Sequence, residues 1–582
     1  ESNSGVKMSG VKRFTFLRGV FFCGFAVLLF FLAGMQLVRG SRFIELSRKN
    51  CIKLIPQPGA RGSILDRNGT VLAGNVLSYD VMVLPQKNTQ LENVLRRISP
   101  VLHIPVKELR SSFNKGVVAP FIPVAVCRDI TLQQAIVVEE LKTEIPGVMV
   151  QARPVRSYPG GKLAAHVLGY LNNIDYWRLS KLEEYGYTER DTVGYSGLEE
   201  KYDYYLRPSD GGVSVEVDHR GRVVRVLGFK APENGRDIQV TLDSGIQRIV
   251  EEALAGRKGA VVVLDPQSGE ILAMASSPAF APESFIAEDK EALRSLMQDK
   301  DGVFVNRAIS GIYAPGSVFK PVTAAAALET GKADYSTIIE CGGSLKLGKE
   351  EFNCSSVHGP QDLKHAIEHS CNIYFYNIGI LVGGQTMHDY ALKFGYGRPC
   401  GVELPYEAAG LVPDPLWKRI YKLKRWFEGD SVNFSIGQGD LLVTPLQVAR
   451  MMAVFANGGE LVNPYIVKNI GGVDPRSGRH RRPAHAPLSP GHLAYLRESL
   501  RMVVEENGGT AHVLSPLPVS VAGKTGTAQA PGGRCHAWFC GFFPYDNPRY
   551  VICSFLENGG SGYQATLMSK EIISGMAGKG MI

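Results

Sequence analysis

The chain has 582 residues, a net charge of +8, 45% apolar and 21% charged side chains. At roughly 150 residues per domain this length excludes a single small core, the balanced composition excludes a disordered chain, and 64 glycines and 33 prolines spread without a period exclude a collagen-like one. So mild a charge gives no case for nucleic acid as a partner; its two local concentrations, "WKRIYKLKRW" (417–426) and "GRHRRP" (478–483), read as solvated loops, with a patch for anionic wall polymer or lipid head groups as the alternative.

Residues 19–38, "GVFFCGFAVLLFFLAGMQLV", are twenty in a row without a charge, long enough as a helix to span the roughly 30 Å hydrocarbon core of a bilayer. A cleaved signal peptide would have a shorter apolar run ending in a small-x-small site, so a retained anchor is expected. Lys7, Lys12, Arg13 and Arg18 ahead of it are balanced by Arg39, Arg42, Arg48 and Lys49 behind it, and the charges do not orient it. The residues ahead of Met8 read as an expression remnant and are set aside. This gives a tail over 1–18, an anchor over 19–38 and folded units beyond.

From 39 to 235 short strand-like runs alternate with turns and helices. "RGSILDRNGTVLA" (61–73) reads as strand, turn at Arg67-Asn68-Gly69, strand, and "ITLQQAIVVEELKT" (130–143) reads as a helix. A boundary is expected near Pro232 and Gly235. From 236 to 582 the amphipathic "SGIQRIVEEALAG" precedes a hairpin, "GAVVVLDPQSGEILAMASSP" (259–278), and "CHAWFCGFFP" (535–544) with "RYVICSFLEN" (549–558) forms a second strand pair. Strands at both ends with helices between them predict one antiparallel sheet flanked by helices, an α+β fold.

The chemistry lies in that second unit. "YAPGSVFKP" (313–321) sets Ser317 three residues before Lys320 at the head of a strong helix former, which puts both on one face. A serine hydroxyl needs a base to become a nucleophile, and a lysine serves when burial lowers its pKa. The spacing alone is weak, since Ser4 with Lys7, Ser9 with Lys12 and Ser112 with Lys115 share it. "SCN" (370–372) opens another predicted helix 53 residues after Ser317, and "GKTGTAQ" (523–529) carries the Lys-Thr-Gly of the chain just before the last strand pair.

The three motifs in this order resemble the serine acyltransferases of the penicillin-binding protein and serine β-lactamase superfamily. "RGSILDRNG" and "GYSGLEEKYDYYLR" (194–207) are similar to the non-catalytic pedestal of class B penicillin-binding proteins, and "RWFEGDSVNFSIGQGDLLVTPLQVARMMAVFANGG" (425–459) with "HAWFCGFFP" is similar to their elongation-type branch, penicillin-binding protein 2. The resemblance implies a pedestal over 39–235 and a transpeptidase domain over 236–582. It also implies a single-pass protein of the bacterial cytoplasmic membrane with its catalytic domain on the outer side, and no glycosyltransferase domain. Its substrate would be peptidoglycan stem peptides, cross-linked during lateral wall elongation and shape maintenance. Ser317 would attack the D-alanyl-D-alanine carbonyl, Lys320 would take its proton, Ser370 would pass a proton to the leaving amine, and Asn372 would hold Lys320 and the substrate. Lys524 would supply positive charge, the hydroxyls of Thr525 and Thr527 would meet the terminal carboxylate, and the N–H groups of Ser317 and Thr527, with Gly526 between the threonines, would line the oxyanion hole. β-Lactams would acylate Ser317, and a RodA-type lipid-II polymerase and other elongation-complex proteins would be partners. A septal class B enzyme, a β-lactam sensor or hydrolase, and an inert scaffold are the rival readings.

Cys341, Cys354, His358 and Cys371 follow as Cys-x12-Cys-x3-His-x12-Cys. Three thiolates and one imidazole make a closed tetrahedral set for a structural Zn2+, and some members of the elongation-type branch hold zinc in this region. Disulfides, plausible in an exported protein, and buried free thiols stay open. His365 and His369 are the alternative histidines. Cys23, Cys51, Cys127, Cys400, Cys535, Cys540 and Cys553 read as core or membrane residues.

Overall fold

The computed structural model describes residues 10–42, 52–85, 88–117, 123–145, 147–189, 191–217, 223–287, 289–477 and 484–582. The basic stretch 478–483 and residues Lys7, Arg48, Lys49 and Cys51 lie outside the described residues. Contacts group the chain into two units interleaved in sequence: Glu1–Ala60, Leu77–Val155 and Pro208–Asn234 form one, and Arg61–Val76, Arg156–Arg207 and Gly235–Ile582 the other.

In the first unit an α-helix, Gly10–Ala33, runs on into a π-helical turn, Gly34–Val38. The stretch Phe14–Leu37 is long and apolar enough to cross a membrane, and none of it is buried; its 24 residues rise about 36 Å, more than a bilayer core. Strands Ile52–Gln57, Gly211–Val217 and Val223–Lys230 form an antiparallel sheet. A separate small core gathers Val81, Leu95, Ile98, Leu109 and Val138. The helix expected at 130–143 spans Leu132–Leu141, opened by a capping box between Thr131 and Gln134 that satisfies two otherwise orphaned N–H groups.

Segments Arg61–Val76 and Arg156–Arg207, which the sequence placed with the pedestal, pack within the second unit. Their Ile64, Leu72, Val167, Leu168, Leu198 and Leu206 join the same core as Ile238 and Val240. The strand-turn-strand at 61–73 forms as expected, with Gly69 at φ +87° in the turn. A buried charge network ties the two pedestal-like motifs together. Arg61 Nε donates to Glu199 Oε2 at 2.7 Å and its Nη2 to Asp203 Oδ1 at 2.7 Å, while Arg156 Nε donates to Glu199 Oε1 at 2.7 Å. Tyr158 and Tyr187 hydroxyls donate to Glu199 and Asp203. Burial pushes the Glu199 carboxyl up, and Arg156 and Arg61 together outweigh it, holding it below its usual value. Glu199→Ala leaves the buried Arg156 guanidinium without a carboxylate and Arg61 with Asp203 alone, and breaking a buried pair this way costs about 3–5 kcal/mol; a clear fall in the thermal unfolding midpoint is the expected reading, and an unchanged midpoint would sink it.

The second unit is built on five antiparallel strands, β1 (Gly259–Leu264), β2 (Ile271–Ser277), β3 (Ala522–Gln529), β4 (Cys535–Phe543) and β5 (Tyr550–Leu556), in the order β2-β1-β5-β4-β3. Its helices include α1 (Ser244–Leu254), α2 (Lys320–Glu329), α3 (Asn372–Val382), α4 (Glu428–Ser435), α5 (Pro445–Ala456) and α6 (Gly562–Gly578). Every residue of β1 and β5 is buried, as strands are when helices cover both faces of a sheet. Helices α1 and α6 pack side by side on it, and α5 packs against β1, β4 and β5. Helix α2 is buried from Lys320 to Leu328, so its run of alanines meets neighbours on every side. β3 is an edge strand, and its free edge faces the start of α2.

Candidate active site

Ser317 lies in a single 3-10 turn, Gly316–Phe319, that feeds directly into α2 at Lys320. The α-helix predicted to open at Ser317 thus begins three residues later. In a 3-10 turn residues i and i+3 eclipse one another, so Ser317 and Lys320 still project to one side. Gly316 has φ +59°, and a Cβ there would sit 2.7 Å from the Thr527 carbonyl oxygen. At Gly437 a Cβ would come within 2.2 Å of the Gly316 oxygen, and the Gly437 carbonyl accepts the Gly316 N–H at 2.9 Å. Both positions demand glycine because the backbones on either side of the serine touch. Trp538 on β4, fully buried, donates its indole N–H to the Ala314 carbonyl at 3.0 Å and braces the approach to the turn.

Lys320 is fully buried and its ammonium is saturated: Nζ donates to the Ser370 carbonyl at 2.7 Å, to Ser370 Oγ at 3.2 Å and to Asn372 Oδ1 at 2.8 Å. Both acceptor residues come from the turn that opens α3, capped at Cys371. Ser370 has φ +54°, a left-handed conformation that costs a non-glycine residue about 1–3 kcal/mol and tends to mark functional sites. Burial pulls the Lys320 ammonium down to about 7, with the sulfurs of Cys354 and Cys371 acting the other way. A lysine so placed exchanges a proton near neutral pH.

Strand β3 carries the third motif. Lys524 is fully buried, and burial together with the Lys320 charge pushes it well below its usual value. Thr525 donates its hydroxyl to Thr510 Oγ1 at 2.8 Å, while Thr527, exposed, accepts the Gly562 N–H on its hydroxyl at 2.9 Å. The Thr527 carbonyl faces Gly316, away from β4. A residue in an antiparallel strand turns its N–H and C=O to the same side, so the Thr527 N–H also faces the Ser317 turn. A Cβ on Gly526 would lie 2.9 Å from the Pro315 oxygen, which requires a glycine where strand and turn meet. The arrangement provides a serine on a turn, a buried amine of lowered basicity, a hydroxyl hydrogen-bonded to that amine, and a strand N–H aimed at the serine turn. Those parts suit acyl transfer. Sequence reasoning missed Thr510 and the contact of Gly437 with Gly316; the "SIGQG" stretch holding Gly437 carried a signal, and Thr510 carried none.

The ligand atoms of Cys341, Cys354, His358 and Cys371 all lie within 4.8 Å of one another. His358 Nδ1 is 3.5 Å from Cys341 Sγ and 3.5 Å from Cys354 Sγ. A tetrahedral ion with metal–sulfur and metal–nitrogen bonds of about 2.3 and 2.0–2.1 Å sets that edge at about 3.5 Å, so these two edges and the donor types fit such an ion. Cys354 Sγ accepts the Asn372 N–H at 3.2 Å, and a hydrogen bond from the Cys371 thiol holds the Cys354 thiol below its usual value. All three cysteines are free, so no disulfide joins them. His365 instead bonds Asp362, and His369 bonds Gln361. Cys400, Cys540 and Cys553 are buried in the core, Cys127 and Cys535 are partly buried, and Cys23 lies on the apolar N-terminal helix.

Known proteins share this architecture. Residues 259–574 match the penicillin binding protein transpeptidase domain and residues 56–240 the penicillin-binding protein dimerisation domain. The peptidoglycan D,D-transpeptidase MrdA of Acinetobacter baumannii is 33% identical over 93% of this chain and 84% of its own length. Penicillin-binding protein 2 of Helicobacter pylori, solved in complex with MreC, superposes with a TM-score of 0.80 at 28% identity, over 91% of this chain and 99% of that one. A chain of a solved peptidoglycan synthase complex that coordinates polymerization and crosslinking gives 0.74 at 31% identity, over 98% and 99%. With a serine turn, a buried lysine and a Lys-Thr-Gly edge strand at one place in a fold matched over nearly its whole length, the chain belongs to the penicillin-binding protein transpeptidases, on the MrdA or penicillin-binding protein 2 branch.

Proposed function

We propose that this chain is a peptidoglycan D,D-transpeptidase of wall elongation and that Ser317 carries the acyl group. The Ser317 hydroxyl attacks the carbonyl between the last two D-alanines of a stem peptide while neutral Lys320 takes its proton. The Ser317 and Thr527 N–H groups bind the oxyanion. The C–N bond then breaks, the proton reaches the leaving amine through Ser370, and D-alanine departs. An amine of a second stem peptide attacks the ester, forming the cross-link and restoring Ser317. Asn372 holds Lys320, and Thr525 and Thr527 receive the substrate carboxylate. That carboxylate, arriving beside Lys524, would restore the charge that burial disfavours there.

The observation that carries this reading is Lys320, buried, with three hydrogen bonds to Ser370 and Asn372. Its pKa near 7 fixes the pH dependence. Lys320 must be neutral to act as a base, so its competent fraction rises from about 1% at pH 5 to about 90% at pH 8. The test is acylation by a β-lactam, with the modified peptide mapped by mass spectrometry. Expected are an adduct on Ser317 and a second-order rate that climbs through pH 7 and levels off above pH 8. An adduct elsewhere, rapid release of hydrolysed drug, or a rise deferred to pH 10 would each overturn the assignment.

The same reading places residues 39–235 as a pedestal outside the cytoplasmic membrane, 236–582 as the transpeptidase domain, and 1–18 inside, because stem peptides are cross-linked outside. Elongation-complex proteins, including a RodA-type lipid-II polymerase, would contact the anchor and pedestal, a reading supported by likeness to the MreC-bound and synthase-complex structures. Cys341, Cys354, His358 and Cys371 would hold a structural Zn2+. When bound, the ion would supply a fixed cross-link and no acyl-transfer chemistry. Those four side chains would fix the hairpin loop 341–358 to the turn that presents Ser370 and Asn372.

A further inference from the structure

The strongly basic run singled out in the sequence plays no part in the acyl transfer. Between Pro415 and Phe427 stand five cations and no acid. A seven-residue helix, Pro415–Tyr421, ends there, and residues 419–425 are all exposed. Ile420 is 57% exposed, Tyr421 73% and Leu423 87%. Leu423 is also held at φ +55°, a left-handed conformation that glycine or asparagine would adopt at less cost. A merely solvated loop needs neither exposed large apolar side chains in a row nor a strained leucine at its tip.

Two of the cations anchor the strip: Lys418 pairs with Asp430, and Lys422 with Asp440 at 3.0 Å. Among the described residues Arg419, Lys424 and Arg425 have no acidic partner, and Arg425 lies over the Phe427 ring at 4.8 Å. The strip is joined to the nucleophile by short paths. Asp440 is three residues beyond Gly437, at most about 11 Å of backbone, and the Gly437 carbonyl accepts the N–H of Gly316, next to Ser317. On its other side the strip runs directly into α4, whose Ser435 carbonyl accepts the Thr323 hydroxyl of α2.

We propose that residues 419–425 are a substrate subsite on the catalytic unit, binding the carboxylate-bearing peptides of an un-cross-linked glycan strand and delivering that strand to the cleft. This rests on the transpeptidase reading above. Unpaired Arg419, Lys424 and Arg425 match the negative charge of stem peptides, and Tyr421 and Leu423 offer apolar contact to sugar faces and alanine methyl groups. An anionic lipid surface would share the charge complementarity. The path to Ser317 favours the glycan.

The test uses the full chain in detergent micelles, with soluble un-cross-linked glycan strands as the probe. Lys424→Glu with Arg425→Glu should weaken strand binding about tenfold and flatten its salt dependence, and should raise KM for cross-linking with kcat held. The rate of β-lactam acylation should not change, which certifies the fold and Ser317. Leu423→Gly should weaken binding by a smaller factor. Strand affinity within twofold of the parent, with acylation intact, overturns the proposal, as does an equal loss toward strands whose carboxylates are amidated. Variants that keep strand affinity but no longer distinguish anionic from zwitterionic nanodiscs would assign the strip to lipid and overturn it too. Absence of acylation in the parent chain would instead strike at the transpeptidase reading.

Discussion

Ser317→Ala is expected to abolish covalent labelling by β-lactams and to lower release of D-alanine by about a millionfold, the scale seen when a serine enzyme loses its nucleophile. The substitution removes one oxygen from a partly buried side chain in a turn whose geometry is set by Gly316, Gly437 and Trp538. Stability should therefore stay within about 0.5 kcal/mol of the parent, and substrate binding should persist. Mass spectrometry of the intact protein reads the adduct, and a thermal scan reads the fold. Persistent labelling of the alanine variant would place the nucleophile elsewhere. Loss of labelling with a collapsed melting transition would make the serine structural.

Cys354→Ser should bring metal content from one zinc per chain to background and slow β-lactam acylation about 10- to 100-fold, as loss of a supporting ligand does at other sites. The coupling is short: the sulfur of Cys354 accepts the Asn372 N–H, and the Asn372 side chain holds Lys320. His365→Ala is the control, because that ring bonds Asp362 outside the cluster, and it should leave metal content unchanged. Elemental analysis that finds no zinc in the parent protein, with a thiol count that finds Cys341 and Cys354 oxidised, would exclude the metal.

The three chemical motifs were legible because each is local. Ser317 and Lys320 sit one turn apart, Ser370 and Asn372 flank a helix cap, and Lys524 to Thr527 occupy one strand. The terminal strand pairs were equally plain, since buried strands read as continuous apolar runs. Boundaries within the pedestal were less so. Segments 61–76 and 156–207, inside the stretch that matches the dimerisation domain, carry the same mixed pattern as their neighbours, and only the packed structure shows that their Ile64, Leu168 and Leu198 join the core of the second unit. The turn of Ser317 was read as α-helix because composition cannot separate a 3-10 turn from the first turn of an α-helix.

By itself, the sequence determined the apolar N-terminal segment, the α+β plan, the identities of the motif residues and the four candidate metal ligands, all of which depend on residue type and short spacing. Tertiary structure alone decided that Lys320 is buried among Ser370 and Asn372, which lowers its pKa; that the Thr527 N–H faces Ser317; that His358, and neither His365 nor His369, completes the cysteine set; and that Arg61 and Glu199, 138 residues apart, share one buried charge network. Those facts depend on groups far apart in sequence being brought within a few ångströms and removed from water. Desolvation and hydrogen bonding of this kind arise only when the chain is packed.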